Sequence, residues 1–258
     1  MKPAVWDMQI PPLDTTVARK TGPGPCQDER KKKPMPHDRL TVLTALEAQG
    51  VCPVFYHADP EVCLNVIRAC ARGGAPVVEF TNRGDFAVDL FGEVARELQR
   101  TDPHVIPGIG SVIDAGTAST FLNRGARFVV SPGLVEEVAV VCNRRMTAYF
   151  PGCGSVTDIL RAHELGCEIV KLFPGASVGG PDFVKAVKGP MPWTKIMPTG
   201  GVDPDPASIA RWFGSGIVAA GMGSKLITDA AVKAGDWAAI EGEVRKAVEA
   251  VKAFRAGR

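Results

Sequence analysis

Two charged residues stand where charge is costly. Lys171 is enclosed by Ile169, Val170, Leu172 and Phe173, and Glu79 follows Val77 and Val78 in the stretch VVEFT. Runs of β-branched and bulky apolar residues of this kind form strands buried on both faces. An ammonium or carboxylate taken out of water needs a partner, a route back to solvent or a change of protonation state. An amine held away from water as the free base is the nucleophile that Schiff-base chemistry requires, and a nearby carboxylate can move protons for it. Pro174 and Gly175 end the Lys171 strand at once, so the lysine lies near that strand's carboxyl end. The alternative is an ion pair that only holds the fold. Buried pairs are seldom better for stability than apolar packing, which favours the chemical reading.

A second group is made of glycines. The stretches MPTGGV (197–202) and GMGS (221–224) each follow a short apolar run. Glycines there let backbone N–H groups approach an anion closely, and the N-terminus of a following helix adds its dipole. Each stretch alone could be a tight turn. Together, on neighbouring strands, they point to a bound phosphate or carboxylate. Metal chemistry finds less support, because the four histidines, at 37, 57, 104 and 163, show no ligand spacing.

The elements that must position these residues follow from the apolar pattern. From Asp38 onward, helical stretches alternate with short apolar strands at 52–57, 76–81, 105–110, 128–132, 148–152, 169–174, 195–200 and 218–223. Helical stretches include EVCLNVIRACARGG, FAVDLFGEVARELQR, VTDILRAHELG and the closing DWAAIEGEVRKAVEAVKAFR. Eight such units predict an α/β fold, a single (β/α)8 TIM barrel with an N-terminal helix and an extended N-terminal arm. An open doubly wound sheet would place G-x-G-x-x-G after its first strand, and the sequence has none there. Active sites of the barrel fold sit at the carboxyl ends of the strands. Glu79 and Lys171 fall on the second and sixth strands, opposite each other and both even-numbered, so their inward side chains can share one layer.

Composition narrows the class. The chain has 258 residues, 22% of them charged, and a net charge of +2, which singles out no type of partner. No apolar run approaches a membrane span, and the N-terminus lacks the pattern of a secretory signal, so a cytoplasmic protein is expected. The seven cysteines are scattered without a C-x-x-C pair, which fits reduced thiols. Residues 1–36 stand apart from the barrel expected over 37–258. They hold seven of the 21 prolines and the basic run Arg30-Lys31-Lys32-Lys33, which reads as a flexible arm or as one that docks on a neighbouring surface.

The stretches VVEFTNRG, GIGSV, FVVSPG, YFPGCGSVTD, EIVKLFPG, MPTGGV and GMGS, in this order over about residues 38–250, resemble the KDPG/KHG aldolase family (2-keto-3-deoxy-6-phosphogluconate and 4-hydroxy-2-oxoglutarate aldolases). The resemblance implies a class I aldolase on a (β/α)8 barrel, a homotrimer that uses no metal or other cofactor. It makes Lys171 the Schiff-base lysine and Glu79 the general acid/base. It makes Arg83 the ligand of the substrate carboxylate, with Ser111 beside it where threonine is more common; a guanidinium fork suits two-point contact with a carboxylate. Pro132 and Phe173 would wall the pyruvyl pocket. Thr199, Gly200, Gly201, Gly223 and Ser224 would receive the far end of the substrate, usually a phosphate. Asn82, His57 and the GCGSVTD loop depart from the family pattern, so the aldehyde half of the substrate is left open. Asn82 or His57 could bind a hydroxyl or have no role, and Cys153 could be a reactive or an inert thiol. Two other readings stay in view: another phosphate-binding barrel enzyme, which would leave Lys171, Glu79 and Arg83 unexplained, and a non-catalytic binding or assembly protein.

Overall fold

The computed structural model describes residues 38–257; the arm expected over 1–36 lies outside them. Helix α1 (Arg39–Gln49) comes first and is followed by β1 (Val51–Phe55), α2 (Pro60–Arg72), β2 (Val77–Thr81) and α3 (Ala87–Thr101). Next are β3 (Ile106–Gly110), α4 (Ala115–Asn123), β4 (Phe128–Val130), α5 (Glu136–Arg144), β5 (Ala148–Phe150) and β6 (Gly152–Cys153). The chain ends with α6 (Val156–Glu164), β7 (Ile169–Leu172), α7 (Gly180–Lys188), β8 (Lys195–Pro198), α8 (Pro206–Gly214), β9 (Ala220–Met222), α9 (Asp229–Ala234) and α10 (Trp237–Ala256). Short polar residues set many of the starts. Asp38, Asp59, Asp205 and Asp236 cap α1, α2, α8 and α10 with their carboxylates, and Ser155 and Asp158 close a capping box on α6.

Every strand pair is parallel. The strands fall into a six-stranded sheet, β5-β4-β3-β2-β1-β9, and a three-stranded one, β6-β7-β8. The arrangement is TIM-barrel-like, with a six-stranded half-barrel as its larger sheet. Pro151 separates β5 from β6, in a stretch read from sequence as a single strand, and proline has no N–H to give to a ladder. At that seam the Lys171 N–H still reaches the Pro151 carbonyl at 2.9 Å. At the other seam the Val218 N–H bonds the Ile196 carbonyl at 3.0 Å and Thr199 bridges Gly221.

Strand parity sorts the interior into two cores. Cys52, Val77, Ile106, Phe128, Val130, Phe150, Ile169 and Met197 pack together with Val42, Leu43 and Leu46 of α1. The alternate positions, such as Val78, Phe80, Ile109, Val129, Val170 and Ile196, pack in the larger cluster with helix residues such as Phe91, Phe121, Trp212 and Val244. Glu79 and Lys171 share parity with Val77 and Ile169 and so belong to the face that α1 also covers. Gln49 fastens this helix to the strands. Its amide donates to the carbonyls of Val51 and Val77, at 2.7 and 2.9 Å, and accepts from the Val77 N–H at 3.0 Å.

Gln49→Leu keeps the volume but removes these three buried bonds. We expect a loss of about 2–4 kcal/mol, since orphaned buried polar groups bear their full desolvation penalty. A urea melt should show a lower midpoint at unchanged slope.

Candidate active site

The two anomalous charges meet. Lys171 Nζ lies 3.7 Å from Glu79 Oε1, with the lysine 6% and the glutamate 1% exposed. Glu79 Oε2 is buried and has no hydrogen-bond partner among the described residues. One carboxylate oxygen therefore faces the ammonium while the other is uncommitted, as a group that passes a proton on requires. Phe173 covers the pair from the strand end, its ring centroid 5.1 Å from Nζ, within cation–π range.

Glycine makes room for the carboxylate. Gly110 ends β3 beside Thr81, and a Cβ at Gly110 would overlap Glu79 Oε1. Cys52, on the neighbouring β1, feels the same pair. Burial first, then the Glu79 charge, push its thiol well above the ordinary range, while Lys171 pulls the other way.

The structure also brings together the residues read as carboxylate ligands. Arg83 Nε donates to Ser111 Oγ at 3.3 Å, joining the turns that follow β2 and β3. Ser111 sits at φ 61°, in the left-handed region. A serine bears this conformation better than a β-branched threonine would. On the other side, Gly152 is the register partner of Lys171, and the Pro132 carbonyl lies where a Cβ on Gly152 would have to be. Pro132 thus borders the lysine strand's neighbour.

The glycine turns flank a cavity of about 570 Å³ at the carboxyl ends of β1, β2, β8 and β9, lined in part by Arg83, Thr199, Gly200, Gly201, Gly223 and Ser224. Gly200 and Gly201 have φ of 93° and 82°, which only glycine adopts freely. The first turn is sewn to the loop after Lys171, with Gly175 N–H on the Thr199 carbonyl at 2.9 Å and Ala176 N–H on the Gly200 carbonyl at 3.0 Å. Trp212 of α8, fully buried, donates from Nε1 to the Gly201 carbonyl at 3.0 Å. Tyr56 and His57 line the same cavity, whereas nothing places Asn82 there. Asp203 and Lys225 also line it and pair at 2.6 Å; sequence reading passed them over, although Lys225 directly follows Ser224. Among the described residues no group of three or more His, Cys, Asp or Glu side chains gathers as a metal site, and no helix is long and apolar enough to cross a membrane.

Gly110→Ala should force the Glu79 carboxylate off Lys171. A crystal structure of the variant is expected to show the 3.7 Å approach lost, with the strand pairing of β2 and β3 kept. A second expectation concerns the thiols. Cys63, Cys70, Cys142, Cys153 and Cys167 are pushed up from 9.0 to about 12, chiefly by burial, so Cys153 reads as inert. Iodoacetamide at pH 8 should leave all six described cysteines unlabelled until the chain is unfolded. These thiols ionise at lower pH unfolded than folded, so their contribution is intact below pH 9 and is lost as pH rises towards 12. Denaturation midpoints should fall across that window.

Known proteins are similar to this chain in sequence and in fold. The sequence profile of the KDPG and KHG aldolases matches residues 42–242. A 2-dehydro-3-deoxy-phosphogluconate aldolase of Pseudoalteromonas atlantica is 32% identical over 78% of this chain and 91% of its own. A KHG/KDPG aldolase of Escherichia coli K12 is 30% identical over 83% of this chain and 98% of its own. In three dimensions, a KDPG aldolase of Legionella pneumophila, solved with pyruvate captured as a covalent carbinolamine, superposes with a TM-score of 0.72 at 27% identity, covering 79% of this chain and 96% of that one. The chain belongs to the KDPG and KHG aldolase family.

Proposed function

We propose that this protein is a class I aldolase that cleaves a 2-keto-4-hydroxy acid to pyruvate and an aldehyde through a Schiff base on Lys171. The observation that carries the reading is the buried approach of Lys171 Nζ to Glu79 Oε1 at 3.7 Å, with Oε2 uncommitted. As the free base, the amine attacks the C2 carbonyl carbon to give a carbinolamine, the intermediate captured with pyruvate in the Legionella pneumophila relative. Loss of water, assisted by proton transfer through Glu79, leaves an iminium. Glu79 then takes the C4 hydroxyl proton; the C3–C4 bond breaks, its electron pair enters the iminium, and an aldehyde leaves. The resulting enamine is protonated at C3, and water releases pyruvate and the free amine. Since the iminium is itself the electron sink, the chemistry calls for no metal or organic cofactor.

Around this centre, Arg83 and Ser111 hold the substrate carboxylate, Pro132 and Phe173 wall the pyruvyl unit, and Thr199, Gly200, Gly201, Gly223 and Ser224 receive the distal end. The substrate is a 2-keto-4-hydroxy acid such as KDPG, releasing glyceraldehyde 3-phosphate, or 4-hydroxy-2-oxoglutarate, releasing glyoxylate. The two sheets act as parts of one closed (β/α)8 barrel, a reading supported by the hydrogen bonds at both seams. A homotrimer working in the cytoplasm completes the proposal.

Borohydride in the presence of pyruvate should fix a pyruvyl adduct on Lys171, located by mass spectrometry after digestion. Lys171→Ala should carry no adduct and lose at least 10³-fold in kcat. Absence of an adduct on the unaltered protein at saturating pyruvate would overturn the aldolase reading.

A further inference from the structure

Two cations line the cavity at the strand ends, and the catalytic reading uses only one of them. Arg83 stands after β2 and bonds Ser111; Lys225 stands after β9, beyond the second glycine turn. In the six-stranded sheet β2 and β9 are both neighbours of β1, so the two positions are two strand spacings apart, roughly 10 Å at the backbone. Lys225 Nζ is held at 2.6 Å by Asp203 Oδ2, from the turn that follows Gly200-Gly201. Local bonds hold both turns: Asp203 N–H bonds Ser208 Oγ at 3.0 Å, and the N–H groups of Leu226 and Ile227 bond the Gly223 carbonyl at 2.9 Å.

We propose that Lys225 is a specificity-determining residue of the distal end, which leaves Asp203 to bind the terminal phosphate of the substrate. The inference rests on the aldolase reading for its substrate and extends it. The exchange is easy because the lysine is 68% and the aspartate 37% exposed, and an exposed ion pair is held weakly. A phosphate dianion that also accepts from backbone N–H groups is the stronger partner. Length favours the phosphate over a distal carboxylate. The ends of a six-carbon acid with a terminal phosphate lie roughly 9 Å apart when extended, against roughly 5 Å for a five-carbon dicarboxylate. Only the longer one matches cations rooted two strands apart. Asp203 then has two roles: it keeps Lys225 over the cavity, and its charge selects against weaker anions.

The test compares kcat/KM for KDPG with that for 4-hydroxy-2-oxoglutarate in the full chain, alongside titration with inorganic phosphate. Lys225→Met should lower the KDPG-to-hydroxyoxoglutarate ratio at least tenfold and weaken phosphate binding about tenfold, and Lys225→Arg should restore both to within threefold. Asp203→Asn should tighten phosphate binding two- to threefold by removing the competing charge. A ratio and a phosphate affinity unchanged within twofold in Lys225→Met would overturn the role of Lys225. Failure of the aldolase reading is seen separately, as no pyruvyl adduct and no cleavage by the unaltered protein. In that case the phosphate titration of Lys225→Met still decides whether Lys225 binds the anion.

Discussion

Removing an ammonium and a carboxylate from water together is the constraint on which the site depends. Each ion loses several kcal/mol of hydration, and mutual attraction compensates only when the geometry is held closely. Lys171 and Glu79 come from strands on different sheets, so their 3.7 Å approach records how those sheets face each other. Anything that shifts β2 against β7 changes the separation of the two charges and so the stability of the pair. The apolar residues of matching parity, Val77, Ile169, Met197 and Phe150 among them, therefore serve the site by keeping water from it as well as the fold by packing.

Steric economy around the pair follows from that need. Gly110 leaves the volume that the Glu79 carboxylate fills, and Gly152 lets the Pro132 carbonyl close in beside the lysine strand. The loop after Lys171 and the turn after β8 share two backbone hydrogen bonds, which tie the lysine strand to the distal glycines. Trp212, buried behind that turn, fixes it from the helix layer.

Much of the site was legible because it breaks a local rule. A lysine and a glutamate inside apolar strands stand out in any reading of burial, and period-two alternation puts each on the inner face. The glycine pairs after β8 and β9 were legible as turns that need positive φ or close approach. Other features left no local trace. Pro151 reads as one more residue of a strand, yet its missing N–H divides the ladder there. Ser111 has an unremarkable identity and a left-handed backbone that only its place between β3 and the Arg83 contact explains. Asp203 and Lys225 are 22 residues apart, each an ordinary polar residue after a glycine turn, and their pairing depends on two strand ends lying side by side.

The sequence by itself determined the alternation of strand and helix, the two charges that apolar strands must bury, and the resemblance of its motifs to one family of aldolases. These are properties of residue type and short-range order, set by hydrophobic period and backbone sterics. Only the tertiary structure decided that Glu79 faces Lys171 with one oxygen uncommitted, that Gly110 yields the space for it, and that Lys225, paired with Asp203, lines the same cavity as the distal glycines. Those facts are distances between residues far apart in the chain, and they arise when parallel strands settle into register and their helices pack behind them.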